Sequence, residues 1–444
     1  MSALLDRFAR ASIKLGVTPP ATQVGRLSST SGMVLRVSGV QGTIGSRYLL
    51  KAGCSRVPAD LVAFTDGQAS LLPIAYVGGL RQGGEVELVQ EQASVLVGQG
   101  LLGRVVDCQC HPIDDLGVIG VEGPARLVSA PISPLKRGVI DEPLDVGVRA
   151  INGLMTIGKG QRVGLFAGTG VGKSVLLSMM AKNTAADIVV IGLIGERGRE
   201  VKEFVERTLS PEARKRSVIV AAPADEPPLA RLQAAQTCTA IAEWFRDRGH
   251  NVLMIMDSLT RFAQAQREVA LSLGEPPASK GYPPSVFSMI PQLVERAGKM
   301  GAGGSITAIY TVLTENDDPN DPVADAARGV LDGHILLSRE MAAQGVYPAI
   351  DVPNSLSRVM PDVTAPNYLD QAVTIRRLYA DYINNRDLIQ VGAYKHGTDA
   401  NVDLSIAAHP ELIEFIRQRP DEPVSVSESQ ERISQLSQKY RLRQ

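Results

Sequence analysis

Cysteine, aromatic residues, long apolar runs and an excess of charge of either sign are all scarce in this chain of 444 residues. The four cysteines include no Cys-x-x-Cys pair, so the sequence predicts free thiols in a reducing cytosol rather than a zinc ribbon. No apolar run approaches the roughly 18 residues that cross a bilayer, and the N-terminus is not expected to be a cleavable secretion signal. Lys plus Arg total 46 and Asp plus Glu total 47, a balance that excludes binding to nucleic acid or to an anionic membrane by bulk charge alone.

The residue pattern changes along the chain, whose 44% hydrophobic and 21% charged residues are typical of a soluble globular protein. Residues 1–20 begin with an amphipathic helix pattern, which predicts either a helix that docks a partner protein or a lipid surface, or a helix packed on its own domain. Residues 21–92 alternate in short runs between glycine-bearing turns and predict a small β-barrel. Apolar strands alternate with helices over residues 93–359, which predicts an α/β fold with a parallel sheet covered on both faces. Residues 360–444 predict a C-terminal helical domain.

Individual strands and helices are located more narrowly by these patterns. Apolar strands are predicted at residues 161–167, 188–194, 217–222, 252–256 and 305–312. In the C-terminal segment, helices are predicted at residues 368–384 and 409–418. Ser427 with Gln430 predicts a capping box that opens a last helix through Lys439.

Residues 167–174 have the pattern of a phosphate-binding loop between an apolar strand and an apolar helix. Glycines let backbone N–H groups turn towards phosphate oxygens, and the helix N-terminus adds partial positive charge. Lys173 is predicted to contact the β- and γ-phosphates, and the Ser174 hydroxyl to bind magnesium. The first position of GxxxxGK[ST] is alanine here, which we expect to matter little because the later glycines form the cradle. The predicted nucleotide-binding residues of the loop are Ala167, Gly168, Thr169, Gly170, Val171, Gly172, Lys173 and Ser174.

Two acidic residues follow the ends of predicted strands and would therefore face the same crevice. Asp257 ends the strand that begins near Asn251 and is predicted to hold the magnesium shell. Glu196 is a candidate for the group that orients or deprotonates water opposite the γ-phosphate. Arg197 and Arg199 bring charge that would pair with phosphate oxygens, although solvent-facing residues at a helix start are the common alternative.

Several motifs together resemble the catalytic subunits of rotary ATPases. They are AGTGVGKS at 167–174, GERGREV at 195–201, MDSLTRFAQAQRE at 256–268, and PAIDVPNSLS at 348–357, which resembles the ATP synthase α/β signature. GEPPASKGYPPSVF at 274–287 resembles the loop of the type III secretion and flagellar export ATPases. The resemblance runs from about residue 20 to about residue 415 and implies a RecA-like P-loop NTPase core that hydrolyses ATP with Mg²⁺.

The resemblance also implies roles for single residues. Glu196 would be the carboxylate that activates water, as in catalytic rather than nucleotide-storing subunits. Arg197 and Arg261 would line the γ-phosphate, and Glu200 would lie with them in the metal region. Tyr347, next to Pro348, would stack on adenine.

Arg358 would be an arginine finger that reaches the nucleotide of the neighbouring subunit, which implies a ring, and the family norm is a homohexamer. The resemblance implies further partners: a negative regulator docked on the N-terminal helix, a coiled-coil stalk protein in the pore, the export gate and chaperone–substrate complexes. It implies a cytoplasmic protein at the cytoplasmic face of the inner membrane, with no nucleic-acid partner.

Within this family the sequence favours the secretion branch, through residues 275–284 and the acidic run at 317–322. Gly392-Ala393-Tyr394 resembles the flagellar form, whereas virulence injectisome relatives tend towards Gly-Glu-Tyr. The predicted function is therefore ATP hydrolysis that energises type III protein export for flagellum assembly, with an injectisome ATPase as the alternative.

Three other functions are less favoured. A rotary ion-translocating subunit would require a partner chain with a different set of site residues. An RNA-tracking hexamer needs aromatic and basic residues on barrel strands for base stacking, but residues 21–92 contain only Tyr48, Phe64 and Tyr76 as aromatics. A purely structural nucleotide-bound subunit is opposed by Glu196.

Overall fold

The chain divides into two compact units, one up to Ala93 and one from Ser94 onwards. The predicted N-terminal docking helix and Asp317 and Asp318 of the acidic run lie outside the described residues. The computed structural model describes residues 24–65, 67–130, 132–301, 303–314 and 321–440.

The first unit contains a closed antiparallel barrel in the order β1-β2-β5-β4-β3-β6. Its interior is filled by side chains that alternate along the strands, among them Leu35, Tyr48, Leu71 and Val86, each at most 1% exposed. This arrangement confirms the β-barrel prediction. The six strands are β1 Val24–Ser31, β2 Val34–Ser38, β3 Arg47–Ala52, β4 Ser55–Thr65, β5 Gln68–Pro73 and β6 Glu85–Gln90.

The second unit contains a large, mainly parallel sheet and a separate two-stranded ribbon. Its strands are β7 Ser94–Val97, β8 Val105–Val106, β9 Gly123–Arg126, β10 Arg162–Ala167, β11 Ile188–Ile194, β12 Ser217–Ala222, β13 Asn251–Asp257, β14 Gly298–Lys299, β15 Ser305–Leu313, β16 Gly333–Leu336 and β17 Leu356–Ser357. The large sheet has the order β17-β16-β10-β15-β13-β11-β12-β8, with β14 paired to β15. The five apolar strands predicted from the sequence are all present, and their bounds differ from the predicted ones by at most one residue at either end.

Helices connect and cover these strands. They are α1 Arg149–Leu154, α2 Lys173–Asn183, α3 Gly198–Glu203, α4 Pro211–Lys215, α5 Pro228–Arg246, α6 Leu259–Ser272, α7 Pro284–Val294, α8 Pro322–Val330, α9 Arg339–Ala343, α10 Met360–Val363, α11 Pro366–Gln390, α12 Ala400–Ile416 and α13 Val426–Lys439. A π-helical turn, Phe204–Thr208, follows α3. Within the described part of the chain, no helix is both long enough and apolar enough to cross a membrane.

The C-terminal helices share one hydrophobic core with the sheet. Ile375, Phe415 and Ile433 belong to the same buried cluster as Leu165 of β10. Gly153 in α1 permits this packing, because a Cβ there would lie 2.8 Å from the Phe415 ring. The helical character predicted for residues 360–444 is confirmed as far as the described residues reach, to residue 440, while a domain boundary at 359/360 stays a prediction.

Two local predictions in this region are wrong. The capping box of α13 is formed by Ser425 and Glu428 instead of Ser427 and Gln430, because the Ser425 side chain accepts from the Glu428 N–H and Glu428 accepts from the Ser425 N–H. The helix expected to begin at residue 409 begins nine residues earlier and passes through Pro410, since Asp399 accepts from the first N–H groups of α12.

Candidate active site

The phosphate-binding loop connects β10 to α2, as its sequence pattern requires. Gly170 and Gly172 have φ angles of +80° and +91°, a left-handed conformation that glycine adopts without steric cost. Ala167, where the sequence departs from the usual pattern, is the last residue of β10 and is paired with Leu313 of β15. The alanine therefore lies in the strand, before the turn formed by the glycines.

Lys173, the first residue of α2, is bonded to two carboxylates. Its Nζ donates to Glu196 Oε1 at 3.2 Å and to Asp257 Oδ1 at 2.5 Å. Burial by itself would lower the pKa of Lys173, but the two carboxylates outweigh it and hold the pKa above its usual value. The Thr311 hydroxyl of β15 also donates to Asp257 Oδ1, at 2.6 Å. The cation and both acids are thus held together inside one chain.

The order of the sheet explains why these residues meet. β10, β15, β13 and β11 are consecutive neighbours in the parallel sheet, so their carboxyl ends lie along one edge. Asp257 is the last residue of β13, and Glu196 follows β11 after Gly195. Gly195 has φ +69°, and a Cβ there would lie 2.8 Å from Cβ of Arg261 in α6. Glycine at 195 thus allows the chain to pass close to α6 immediately before Glu196.

A cavity of about 420 Å³ opens beside this cluster. Its polar lining includes Ser174, Glu196, Glu200 and Asp257. Carboxylate and hydroxyl oxygens are the ligand types that Mg²⁺ takes, so the donor set fits the predicted ion. Among the described residues, however, no group of three or more His, Cys, Asp or Glu side chains is placed to hold a metal. Magnesium here would therefore depend on phosphate oxygens and water as well as on the protein, as is usual for nucleotide sites.

Tyr347 lies against the phosphate-binding loop. A Cβ on Gly172 would lie 3.3 Å from two carbons of its ring, and the residue remains 43% exposed. Its carbonyl accepts a hydrogen bond from the backbone N–H of Gln418, so the C-terminal segment fixes its backbone. The ring is therefore placed where a base attached to a bound polyphosphate would be within reach.

The remaining residues implied for the γ-phosphate region differ in position. Arg197 points away from the cluster: its side chain is 85% exposed and pairs with Glu200 at 3.8 Å. Arg261 packs its aliphatic part against Gly195 and donates to Gln264 Oε1 at 2.7 Å. Its buried Nε has no hydrogen-bond partner among the described residues. The fold brings Lys173, Glu196 and Asp257 together directly, Arg261 behind them, and leaves Arg197 in solvent.

Arg358 lies at the other end of the sheet. β17 pairs antiparallel with the start of β16, and the Arg358 N–H donates to the carbonyl of Asp332, whose own N–H donates to Arg162 at the start of β10. The six residues of β10 separate this level from the phosphate-binding loop, roughly 20 Å at about 3.3 Å per residue. The exposed side chain of Arg358 is therefore too far away to contact a phosphate bound beside Lys173 of its own chain.

Sequence reasoning missed several residues of the site. Thr311 donates the hydrogen bond to Asp257, but it is one of four hydroxyl-bearing residues in β15, so no sequence pattern singles it out. Phe204 of the π-helical turn and Pro420 of the C-terminal segment line the cavity. No local pattern marks these two, because they reach the cavity only through tertiary packing.

Known proteins are similar to this chain over most of its length. Residues 147–357 match the ATP synthase alpha/beta family, nucleotide-binding domain, and residues 364–435 match the C-terminal domain of the type III secretion ATPase EscN. The flagellum-specific ATP synthase of Pseudomonas aeruginosa is 53% identical over 427 residues, which cover 95% of each chain. The type 3 secretion system ATPase of Xanthomonas euvesicatoria is 46% identical over 400 residues, or 90% of each chain.

Solved structures are similar over most of the chain. The assembled ATPase EscN of the enteropathogenic E. coli type III secretion system has a TM-score of 0.88 at 42% identity, with 93% of this chain and 100% of that chain covered. EscN in complex with its central stalk EscO has a TM-score of 0.86 at 40% identity, with the same coverage.

Proposed function

This chain belongs to the ATPases of flagellar and type III secretion systems within the ATP synthase alpha/beta family, and from that membership we propose that it hydrolyses ATP at the subunit interfaces of a homohexameric ring. Its activity is that of an ATP hydrolase of type III export, and the flagellum-specific relatives favour a role in flagellum assembly. The observation that carries the proposal is the placement of Lys173, Glu196 and Asp257 at one end of the sheet and of Arg358 at the other.

The contacts of Lys173 suggest how binding prepares hydrolysis. Its ammonium forms ion pairs with both Glu196 and Asp257. Arriving β- and γ-phosphates compete for that ammonium, so the Glu196 carboxylate is released from Lys173 and becomes available to the attacking water. Glu196 then accepts the proton as the water oxygen bonds to the γ-phosphorus, the bond to the bridging oxygen breaks, and ADP and phosphate result.

Magnesium would be held by Ser174 and Asp257, with Glu200 at the border of the same cavity. The ion would supply charge neutralisation on the β- and γ-oxygens. Tyr347 would stack on adenine beside Gly172, and Arg261 would support the loop that carries Glu196.

The ring proposal rests on Arg358. An exposed arginine at the opposite end of the sheet from its own phosphate-binding loop can act on a nucleotide only in another subunit. Such an arginine is worth roughly 10³-fold or more in rate, because it stabilises charge on the transferred phosphoryl group. EscN, the solved relative, is described as assembled and as bound to its central stalk EscO, which supports a ring with a coiled-coil stalk partner here.

The other expected partners remain part of the proposal: a regulator at the N-terminal helix, the export gate and chaperone–substrate complexes, at the cytoplasmic face of the inner membrane. The proline-bearing loop at 275–284 would face the stalk.

A dilution series tests the ring. ATPase activity and nucleotide binding are measured per chain while the same samples are sized by analytical ultracentrifugation. We expect hydrolysis per chain to fall as oligomers dissociate and nucleotide binding per chain to stay constant. Hydrolysis per chain that is unchanged in fully dissociated protein would contradict the proposal.

Replacement of the gene by a Glu196→Gln allele in its own organism tests the export system. We expect flagellar rod, hook and filament proteins to remain in the cell. Normal flagella together with blocked secretion of needle proteins would instead identify an injectisome ATPase.

A further inference from the structure

The segment that ends in Arg358 is held to the rest of the fold on both sides of Leu356. Ser357 Oγ donates to the carbonyl of Thr156 at 2.8 Å and accepts from Gln161 Nε2 at 3.0 Å. The Arg358 N–H donates to the carbonyl of Asp332 at 3.0 Å. These bonds fix the backbone of an exposed side chain at the edge of the sheet.

The preceding turn is held by a residue of the C-terminal helices. Arg376 of α11 donates from Nη2 to the carbonyl of Ser355 at 2.5 Å and from Nη1 to the carbonyl of Leu154, the last residue of α1, at 3.0 Å. Ser355 is 1% exposed, and its hydroxyl accepts from the N–H of Leu336 in β16. One guanidinium therefore bridges α11, α1 and the strand that leads to Arg358.

We propose that Arg376 is a positioning residue that sets the reach of Arg358 towards the neighbouring subunit's nucleotide. The inference rests on the proposed role of Arg358 and adds a connection from the C-terminal helices to that arginine. Charged hydrogen bonds to carbonyl groups are among the stronger bonds in proteins, and a small misplacement of a catalytic group can lower the rate by orders of magnitude.

The position of Arg376 predicts that its loss impairs the action of Arg358 and not nucleotide binding by the same chain. Arg376 lies on the side of the chain that donates the arginine, so its loss should spare the phosphate-binding loop of the same chain. A residue with only a structural role would instead weaken both functions of the chain together.

Steady-state ATPase kinetics of two Arg376 variants provide the first measurement. Arg376→Gln removes the bridging charge, and we expect kcat to fall about tenfold or more with KM for ATP changed less than about twofold. Arg376→Lys keeps the charge but cannot bond both carbonyl groups in the same fork geometry, so it should give an intermediate kcat. Arg377→Gln is the matched control. Arg377 is the next residue on α11, its side chain is 72% exposed, and its substitution should leave both constants unchanged.

Mixed rings provide the decisive measurement. Arg376→Gln protein, with its own phosphate-binding loop intact, is combined with Lys173→Ala protein, which has an intact Arg358 and an inactive loop. Turnover is measured at ATP concentrations below that of the sites, so that a single competent interface is sufficient. We expect the mixture to hydrolyse ATP faster than either protein alone, because mixed interfaces pair an intact loop with a well-positioned Arg358.

A parallel mixture of Arg358→Ala with Lys173→Ala separates the two levels of the argument. If that mixture shows no recovery, action of Arg358 on a neighbouring subunit is refuted and the inference falls with it. If it recovers but the Arg376→Gln mixture does not, the role of Arg376 is refuted while that of Arg358 stands. If the Arg376→Gln protein does not fold, Arg376→Lys takes its place in the mixture with Lys173→Ala, and that mixture must hydrolyse ATP faster than either protein alone.

Discussion

At the carboxyl end of the parallel sheet, Lys173 bonds to both Glu196 and Asp257, and the three side chains are no more than 13% exposed, whereas at the amino end Arg358 is exposed. The first group is organised within the chain, since each charge already has a partner. The second has a fixed backbone but a side chain that faces outwards. A site divided in this way binds nucleotide in one chain and is completed by another.

The different tasks of the two ends of the sheet also explain why the charges around Lys173 are buried and Arg358 is exposed. Charges that must hold phosphate and magnesium gain from a dry environment, where electrostatic interactions are stronger. A group that crosses a subunit boundary must remain accessible until the subunits meet. The same sheet therefore supports two opposite surroundings about 20 Å apart.

The largest expected effect is at the carboxyl end. Lys173→Ala leaves the carboxylates of Glu196 and Asp257 facing incoming phosphate without their cation, so we expect ATP affinity and turnover to fall below detection. Titration with a fluorescent ATP analogue and a phosphate-release assay measure the two effects. Lys182→Ala, on the last turn of the same helix, is the control and should behave like the wild type. Wild-type ATP affinity in the Lys173→Ala protein would contradict the assignment of the loop.

At the amino end we expect a loss of rate without a loss of binding. Arg358→Ala should lower kcat roughly 10³-fold in assembled protein while ATP affinity stays within about twofold. Calorimetric titration and steady-state hydrolysis on the same sample measure both quantities. Arg419→Ala, an arginine whose side chain is 82% exposed, is the control. Equal losses of affinity and rate would remove the distinction between the two ends.

Glu196→Gln separates binding from chemistry within the carboxyl end. The amide keeps the size of the side chain but cannot accept the proton from water, so turnover should fall about 10²–10⁴-fold while ATP is still bound. Single-turnover hydrolysis and nucleotide titration measure the result. Glu206→Gln, with a side chain 57% exposed, is the matched control. Normal turnover in the Glu196→Gln protein would refute the assignment of this carboxylate.

The smallest expected effect concerns the support of Asp257. Thr311→Val removes one hydrogen bond to a buried carboxylate at constant shape, a loss of about 1–3 kcal/mol. We expect a weaker dependence of ATP binding on Mg²⁺ concentration and a modest fall in kcat, and Thr311→Ser should restore both. Magnesium titrations of ATPase activity show whether the hydroxyl matters; identical curves for all three proteins would show that it does not.

Much of this site follows from local pattern. The apolar runs of β10, β11 and β13 are long and bounded by turn residues, so the sequence predicts their ends to within one residue. The roles of Lys173, Glu196 and Asp257, which follow these strand ends, stay predictions. Patterns failed where several residues compete for the same local role. The sequence predicts a capping box from Ser427 and Gln430, but the structure forms it two residues earlier, from Ser425 and Glu428.

The sequence by itself predicts the barrel, the parallel sheet and the phosphate-binding loop, because hydrophobic periodicity and glycine-rich turns are local properties of the chain. Tertiary packing alone established that Thr311 bonds to Asp257, that Arg197 stays in solvent, and that Arg376 of a C-terminal helix holds the strand before Arg358. The two hydrogen bonds join residues that are 54 and 21 positions apart in the sequence. The exposure of Arg197 depends on which side of the start of α3 faces water. Such relations arise only when the sheet order and the helix packing bring distant segments together.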